Sequence, residues 1–533
     1  MTVPRVLMIG LDGFELSLAD EMISRGELPA LRAVRERSAR FLLNHGKGQR
    51  TGRAWEHVAT GQVTEDAGRP SSVYFDRHTY QIGKKRHAKF TPFTAGQPFK
   101  AVVLDAPYFD MELDPAARGI VNWGSHDPGV ARRSNPRGID EEITARFGAY
   151  PAESCMYAFV WPSANNTRQA GELIARSAEM RGEVATWLLT ERLPDWDLGI
   201  VVGGEAHSAV EAMWHGIDPD HPLHDLPSAH PAREALRAIY RAIDSELEKL
   251  VRATPDASHV VFAMHGMGTN DADPPSMVLL PELLYRRAFN ESYLRPGRWR
   301  VNGQGVPLLA EDETWDEAMK ELVPMPKPAA APRSWTRSLR SLFPAQERRT
   351  DDGEIESSLE WMAAARYQPF WSRMSAFALP SFYDGRIRFN LAGREANGMI
   401  ALESYQAAFT EMETLLRDCR NPLTGGEAVA TIRRASARDP RDLDPFTADL
   451  VVEWTPKLLG LVHPKHGQIG PVPYRRVGGH TGRYGFAYVA GRGIRAGDFG
   501  VHSSFQVVPT VLQMLGGKLP AGGRSLFAES LAA

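Results

Sequence analysis

The chain has 533 residues, 43% of them hydrophobic and 24% charged, which suits one large globular domain with insertions or two or three smaller domains. The formal net charge of −3 gives no general reason to expect binding to nucleic acid or to an anionic membrane. No secretory signal pattern or membrane-length apolar run is present, and Cys155 and Cys419 are too few for a disulfide framework. These features predict a reduced, cytoplasmic protein.

Short apolar segments alternate with longer helical patterns in the first half of the chain. The apolar run 6–11 is followed by Asp12 and then by a helical pattern around 16–38, and similar apolar runs recur at 197–203 and 259–265. This alternation predicts βαβ units and a parallel sheet covered on both faces. Ligands of such sheets collect beyond the carboxyl ends of the strands, where we expect Asp12 and His265.

The alternation is lost from about residue 281. The Pro/Ala-rich stretch 323–333 is followed by four arginines and is predicted to be a solvated, mobile insertion. The alternative is a lid whose arginines meet an anionic substrate. The four arginines are Arg337, Arg340, Arg348 and Arg349.

Strand patterns return towards the C-terminus. Residues 382–390 predict a hairpin with its turn at 384–385, and strands are predicted near 449–453 and 486–489. A last helix is expected from about 506 to a terminating glycine. The predicted organisation is an α/β core at 1–280, an insertion at 281–445, and completion of the core by 446–533.

The first candidate metal ligands are His207 and Glu211. Their spacing of four residues places both on one face of a helix, and imidazole and carboxylate are good ligands for Zn²⁺ or Mn²⁺. Five of the sixteen histidines lie between 207 and 230, among them His215. An isolated His/Glu pair of this kind is more often an ordinary surface contact. Its position directly after a predicted strand nevertheless favours a metal site.

Four further residues could carry chemistry. Asp12 follows a buried strand, where a carboxylate needs a cation or several donors, although a turn or helix cap is the simpler explanation. Thr51 at a helix start could hold an anion with help from Arg53, or it could be a plain N-cap. His265 and His480 both adjoin glycine, which permits close approach to a bound group.

Together these segments resemble the type I phosphodiesterase/nucleotide pyrophosphatase branch of the alkaline phosphatase superfamily. The resemblance implies an α/β fold with a doubly wound, mostly parallel sheet, helices on both faces and an inserted cap or lid region. It is carried, in the family order, by segments 9–13, 51–61, 214–222, 265–266, 389–395, 479–480 and 508–510.

The resemblance also implies an activity and its cofactors. It implies a hydrolase of phosphodiester or phosphoanhydride bonds in a small phosphorylated substrate, such as a nucleotide or nucleotide sugar, with one or two divalent ions, Zn²⁺ or Mn²⁺. Thr51 would be the nucleophile, assisted by Arg53. A homo-oligomer is possible, whereas nucleic acid and membrane are not expected as partners.

The ligands and substrate contacts follow by position. One ion would be bound by Asp12, Thr51 and His265, and the other by His207, Glu211 and His480. The candidate substrate contacts are Trp55, His126, Asp127 and His215.

Three positions depart from the family pattern. His207 stands where aspartate is usual and Glu211 where histidine is usual, so a His/carboxylate pair is kept, and His480 would complete a three-ligand site. Met264 replaces a bridging aspartate, and a thioether is a poor substitute for a carboxylate. His126 or Asp127 could supply the missing donor, although an ordinary Asp-Pro turn is the favoured explanation of that segment.

The same fold also hosts other reactions. Neither cysteine lies in the Cys-x-Pro-x-Arg motif of a sulfatase, and Thr51 argues against a serine-dependent mutase. A single-metal enzyme acting through His207, Glu211 and His480 remains an alternative. So does a non-catalytic protein that binds a phosphorylated ligand.

Overall fold

The structure is a computed structural model in which two compact units are described. Unit 1 comprises 1–68, 88–270 and 476–533, and unit 2 comprises 69–87 and 271–475. Thr51 and Arg53 lie outside the described residues, as does most of the Pro/Arg-rich stretch after 325. The described residues are 4–46, 54–62, 73–84, 91–127, 129–155, 163–311, 313–325, 348–349, 355–356, 359, 361–435, 439–445 and 447–528.

The regular elements alternate in type along unit 1 and are more mixed in unit 2. The strands are β1 Arg5–Leu11, β2 Ala39–Asn44, β3 Val73–Phe75, β4 Ile82–Lys84, β5 Ala101–Leu104, β6 Arg118–Val121, β7 Arg133–Asn135, β8 Leu198–Gly203, β9 Ala257–Ala263, β10 Gly268–Thr269, β11 Arg300–Val301, β12 Pro307–Leu308, β13 Arg348–Arg349, β14 Ile355–Glu356, β15 Ala376–Leu379, β16 Gly385–Phe389, β17 Val429–Arg434, β18 Leu450–Trp454, β19 Leu461–His463, β20 Gly467–Ile469, β21 Gly478–Gly479, β22 Gly485–Ala490 and β23 Gly497–Ser503. The α-helices are α1 Leu16–Ser24, α2 Pro29–Glu36, α3 Ala54–Thr60, α4 Ile139–Phe147, α5 Ala164–Trp187, α6 Glu205–Met213, α7 Ala229–Ala253, α8 Leu280–Phe289, α9 Trp315–Leu322, α10 Tyr405–Arg417 and α11 Val507–Met514.

Unit 1 is built on a nine-stranded sheet in the order β23-β2-β22-β9-β1-β8-β5-β6-β7. Its five central strands, from β9 to β6, are parallel, whereas β22 and β7 pair antiparallel with their inner neighbours. Val6 and Met8 pack in one apolar cluster with residues of α3 and α11, and the alternate residues Leu7 and Ile9 are equally buried. Both faces of β1 are therefore covered, as the uninterrupted apolar run predicts. The predicted α/β fold with a mostly parallel sheet is confirmed.

The helical pattern predicted around 16–38 is two helices, α1 and α2. Gly26 takes a positive φ of 77°, and Pro29 opens the second helix, where its missing N–H costs nothing. The predicted last helix is present as α11 and is followed by Gly516, also at positive φ.

Unit 2 has a four-stranded antiparallel sheet in the order β15-β16-β18-β17. The predicted hairpin is present, but its first strand is 376–379 and its second begins at Gly385, one residue after Asp384. Because β18 pairs with β16 and β17, residues 446–475 belong to this unit, and the chain returns to unit 1 at Arg476. The predicted boundary at 446 therefore differs from the observed one.

Four buried charges form a cluster in unit 2, which we call the arginine–carboxylate cluster: Arg388, Arg394, Glu395 and Asp449. Arg388 Nε and Arg394 Nε donate to Glu395 at 2.8 and 2.9 Å, and Arg394 also donates to Asp449 at 2.8 Å. Tyr405 adds a hydroxyl donor to Asp449 at 2.5 Å. Each charge thus meets an opposite one.

Within the described part of the chain, no helix combines the length and apolar character needed to cross a membrane.

Candidate metal centre

The predicted ligands of unit 1 gather where strands of the central sheet end. Asp12 follows β1, and α6, which begins two residues after β8, carries His207 and Glu211. His265 follows β9, and His480 follows the short strand β21. Because parallel strands present their carboxyl ends at one edge, residues from distant parts of the sequence meet there.

Two of these side chains, those of His207 and Glu211, form with His126 a group able to hold a metal ion. One ligand atom each from His126, His207 and Glu211 lies within 4.8 Å of the others, and all three residues are buried. His207 and Glu211 are one helical turn apart on α6, with Nε2 and Oε1 separated by 3.2 Å. His126 approaches from the loop after β6, its Nε2 being 3.8 Å from Glu211 Oε2. Two imidazoles and a carboxylate form a donor set that suits Zn²⁺ or Mn²⁺.

Both imidazoles of this group are oriented through Nδ1. Asp12 Oδ2 lies 2.8 Å from His207 Nδ1, and Ser208 Oγ lies 3.0 Å from His126 Nδ1. Such contacts fix ring orientation and direct Nε2 towards a metal. The structure therefore places the Asp12 carboxylate against the ring of His207, and its role as a metal ligand, which the resemblance implied, stays a prediction.

The loop that presents His126 is fixed by buried charge. Asp105 accepts hydrogen bonds from the backbone N–H groups of Trp123 and Gly124 at 2.7 and 2.6 Å. Arg181 donates to Asp105 at 2.8 Å and to the Gly124 carbonyl at 2.9 Å. Because both charges are fully buried and paired, this loop has little freedom to move.

Glycines allow the backbones beside the site to come together. A Cβ on Gly13, which has a φ of 67°, would lie 2.3 Å from the Cα of His207. A Cβ on Gly204 would lie 2.8 Å from the backbone nitrogen of His126. Side chains at these two positions would push Asp12 and His126 away from α6.

The group continues into a row of six buried histidine rings, which we call the histidine row. Successive ring centroids are 3.8, 4.5, 4.0, 5.8 and 6.4 Å apart. In order, the rings are those of His126, His207, His480, His265, His45 and His57.

Sequence reasoning missed His45 and His57. Each lies six residues from Thr51, one on either side, and this spacing does not by itself indicate that their rings approach one another. His45 follows β2, and His57 is on α3.

Burial favours the neutral form of two rings of the row, those of His126 and His480. Desolvation, reinforced by the charge of His207, lowers the pKa of His126 to about 3. Burial and the neighbouring charge of His265 lower the pKa of His480 well below its ordinary value. Neutral imidazole is the form that binds metal, so these rings need not release a proton when an ion enters at neutral pH.

Two further ionised groups adjoin the metal-ligand atoms. Burial alone would raise the pKa of Asp12, but the charge and hydrogen bond of His207 outweigh it and lower that pKa. Arg476 donates from its guanidinium to Glu211, and burial lowers the pKa of this arginine to about 9. Arg476, the first residue after the chain returns from unit 2, therefore holds Glu211 in place through its positive charge.

The other predicted residues have different neighbours. Trp55 is buried, with its ring 5.7 Å from that of Phe262. Asp127 accepts a hydrogen bond from the Tyr108 hydroxyl at 2.8 Å. Met264 is packed in the apolar core of unit 1.

His215 lies in a separate histidine group after α6. Its Nε2 contacts Ser228 Oγ at 3.1 Å, and its ring is 6.3 Å from that of His221. Its predicted contact with substrate stays a prediction.

Comparisons with known proteins support the fold. No family model matches the sequence, and neither does any curated protein. Phosphonoacetate hydrolase from Sinorhizobium meliloti 1021, solved with phosphonoformate, is 13% identical with a TM-score of 0.50, over 96% of each chain. Human ectonucleotide pyrophosphatase/phosphodiesterase 5 is 10% identical with a TM-score of 0.45, over 98% of this chain and 99% of that one. At such identities the comparison shows an alkaline-phosphatase-like fold.

Proposed function

We propose that this chain is a metal-dependent hydrolase of phosphodiester or phosphoanhydride bonds in a small nucleotide-like or nucleotide-sugar-like substrate. The main support is the buried group of His126, His207 and Glu211 at the strand ends of an alkaline-phosphatase-like fold. A fold alone does not give a function, so the donor group carries the argument.

His126, His207 and Glu211 would hold the divalent ion through two nitrogens and a carboxylate oxygen. When bound, the ion would supply Lewis-acid stabilisation of charge on a phosphoryl oxygen. Asp12 holds His207 in the orientation that directs Nε2 to the ligand group. Thr51, the predicted nucleophile, would attack phosphorus in line with the leaving group, and Arg53 would bind a phosphoryl oxygen.

A single-ion mechanism without covalent attack is the second candidate. Met264 supports it, since this residue packs among apolar side chains and a thioether is a weak ligand for Zn²⁺ or Mn²⁺. In this mechanism Thr51 would bind the substrate anion, and water would be the nucleophile.

The test begins with protein stripped of metal and then supplied with Zn²⁺ or Mn²⁺. Hydrolysis of bis(p-nitrophenyl) phosphate, p-nitrophenyl phosphate, a nucleoside diphosphate sugar and phosphonoacetate would be followed for the wild type and variants. We expect diester or anhydride cleavage that requires metal and is lost in His207→Ala. His259→Ala is the matched control, because His259 is a buried histidine near the opposite end of β9.

The threonine variant separates the two mechanisms. Activity lost in Thr51→Ala supports covalent attack, whereas activity that survives this change supports the single-ion mechanism. No hydrolysis of any of these substrates after metal loading would overturn the proposed function and leave the non-catalytic binding protein.

A further inference from the structure

We propose that Arg476 is a substrate-binding residue of the metal centre, whose guanidinium binds a phosphoryl oxygen of the substrate beside the metal ion. This inference deepens the proposed function and rests on it for the class of ligand, a phosphoryl group. It assigns a role to a residue that neither the sequence motifs nor the resemblance singled out. The test measures binding of phosphate and of zinc, so it needs no turnover.

The segment that carries Arg476 is fixed against the helix of two candidate metal ligands. The backbone N–H of Val477 donates to the Glu211 carbonyl oxygen at 2.8 Å. A Cβ on Gly478 would lie 2.2 Å from the Val210 carbonyl oxygen, so the backbone of this segment passes close to α6. The fold therefore sets the position of Arg476 relative to the metal-ligand atoms of that helix.

The guanidinium of Arg476 adjoins the ligand group. It donates to Glu211 Oε1, the same oxygen that lies 3.2 Å from His207 Nε2. Burial is the main cause that lowers the pKa of His126 and of His480, and the charge of Arg476 lowers it further at both rings. One buried cation thus acts on a carboxylate and on two imidazoles of the centre.

This position is unfavourable for metal binding. A positive charge repels a divalent ion, and Arg476 also shares Glu211, the one carboxylate in the group of three ligands. An ion pair with Glu211 alone would therefore divide that carboxylate between the arginine and the metal ion. An anionic phosphoryl group bound to the ion would offset this repulsion, because it would meet both positive charges.

Arg476 can also supply the second positive charge that two-ion centres offer a phosphoryl group. The position of the usual bridging aspartate is taken by Met264, which packs in the apolar core and is a poor metal ligand. A guanidinium brings its charge without needing ligands. Because it carries five N–H donors in a planar fork, it can donate to Glu211 and to a phosphoryl oxygen together.

The experiment titrates inorganic phosphate into the zinc-saturated full chain by isothermal titration calorimetry. In Arg476→Ala, phosphate affinity should fall about 10–100-fold, because a charge-assisted hydrogen bond to the anion is lost. Zinc affinity, measured by competition with a chromophoric chelator, should be unchanged or up to about tenfold higher, since a repelling charge is removed. A residue that only holds Glu211 in place would give the opposite pattern.

Two further variants guard against a folding defect. Arg476→Lys keeps the charge but not the planar fork, so its phosphate affinity should lie between those of the wild type and Arg476→Ala. Arg475→Ala is the matched control, because the neighbouring arginine is also buried but pairs with Asp273 at 3.0 Å. This control should leave phosphate affinity unchanged, and circular dichroism would confirm that each variant is folded.

A zinc-loaded wild type that binds no phosphate, or an unchanged phosphate affinity in folded Arg476→Ala, would overturn this role of Arg476. Phosphate binding that depends on Arg476 in a chain that hydrolyses none of the tested substrates would overturn the proposed function but leave this role. Hydrolysis with phosphate binding that is independent of Arg476 would do the reverse.

Discussion

The histidine row of unit 1 and the arginine–carboxylate cluster of unit 2 are both buried and polar, but their charges are arranged differently. In unit 2, Arg388 and Arg394 face Glu395 and Asp449, so two cations meet two anions at hydrogen-bonding distance. In unit 1, imidazole rings lie against one another, and the Glu211 carboxylate adjoins two of them. Attraction between opposite charges holds the arginine–carboxylate cluster together, whereas the histidine row brings several nitrogen lone pairs close together.

This difference separates a structural cluster from a binding cluster. In a buried ion pair, the attraction between the two charges offsets part of the free-energy cost of removing them from water. A further ligand adds nothing to that attraction. Stacked neutral imidazoles offset little of the free-energy cost of their own desolvation. Burial keeps His126 and His480 unprotonated. A metal ion is the ligand that would use their lone pairs, so the two clusters should respond in opposite ways to substitution.

The largest effect is expected on catalysis. His207→Ala removes one of three ligands at the proposed catalytic ion, and Lewis-acid stabilisation is worth several kcal/mol, so kcat/KM should fall on the order of 10⁴-fold. The measurement is diester hydrolysis at saturating zinc. A folded His207→Ala variant with more than a tenth of wild-type activity would contradict the proposed catalytic site.

The arginine–carboxylate cluster should respond in stability and not in metal content. Asp449→Ala leaves Arg394 buried without one of its two carboxylates, which should lower the free energy of unfolding by about 3–5 kcal/mol. Urea denaturation measures this change, and the zinc content of the folded variant should match that of the wild type. Asp439→Ala, which breaks an exposed ion pair with Arg441, is the control and should change stability little. Loss of zinc in folded Asp449→Ala would show that the two clusters are not independent.

Asp12 should have an intermediate effect on metal affinity. Asp12→Asn removes the carboxylate on His207 Nδ1 while keeping a similar shape, and zinc affinity should fall about 10–100-fold. Competition with a chromophoric chelator would measure this affinity. A loss of zinc as complete as in His207→Ala would show that Asp12 is itself a ligand, as the resemblance implied.

The last prediction concerns the pH dependence of stability at His215, which lies outside the histidine row. Burial, with the nearby charges of His221 and His224, lowers the pKa of His215 from 6.5 to about 3. The unfolded chain gains a proton at this residue below about pH 6.5 while the folded chain does not, so stability should be lost as pH falls from that value towards 3.

The slope attributable to His215 approaches about 1.4 kcal/mol per pH unit within that window. Urea unfolding between pH 7 and pH 4 should show a shallower dependence in His215→Asn. An unchanged slope would mean that His215 does not stay neutral in the folded chain.

The sequence predicted what depends on local pattern. The apolar runs of β1, β8 and β9 predicted burial on both faces of the sheet. The spacing of four residues between His207 and Glu211 predicted that both lie on one face of a helix. It did not indicate which sheet β18 would join, because a strand pattern carries no information about its partner.

Contacts between elements that are distant in sequence could not be predicted from the sequence either. His45 meets His265 across 220 positions of sequence, and no spacing rule connects them. The contact between the Asp12 carboxylate and His207 Nδ1 depends on how closely β1 and α6 approach. That approach is possible because Gly13 has no side chain.

The order in which the site's residues occur along the chain has a consequence for biosynthesis. Asp12 and His45 emerge from the ribosome early, but His480 follows all of unit 2. Because domains tend to fold as they are synthesised, the first part of unit 1 must wait, with its central sheet lacking β22 and β23, until the last sixty residues arrive. A nascent chain that ends before residue 476 would already contain His126, His207 and Glu211, but it would hold them on a sheet that still lacks two of its nine strands.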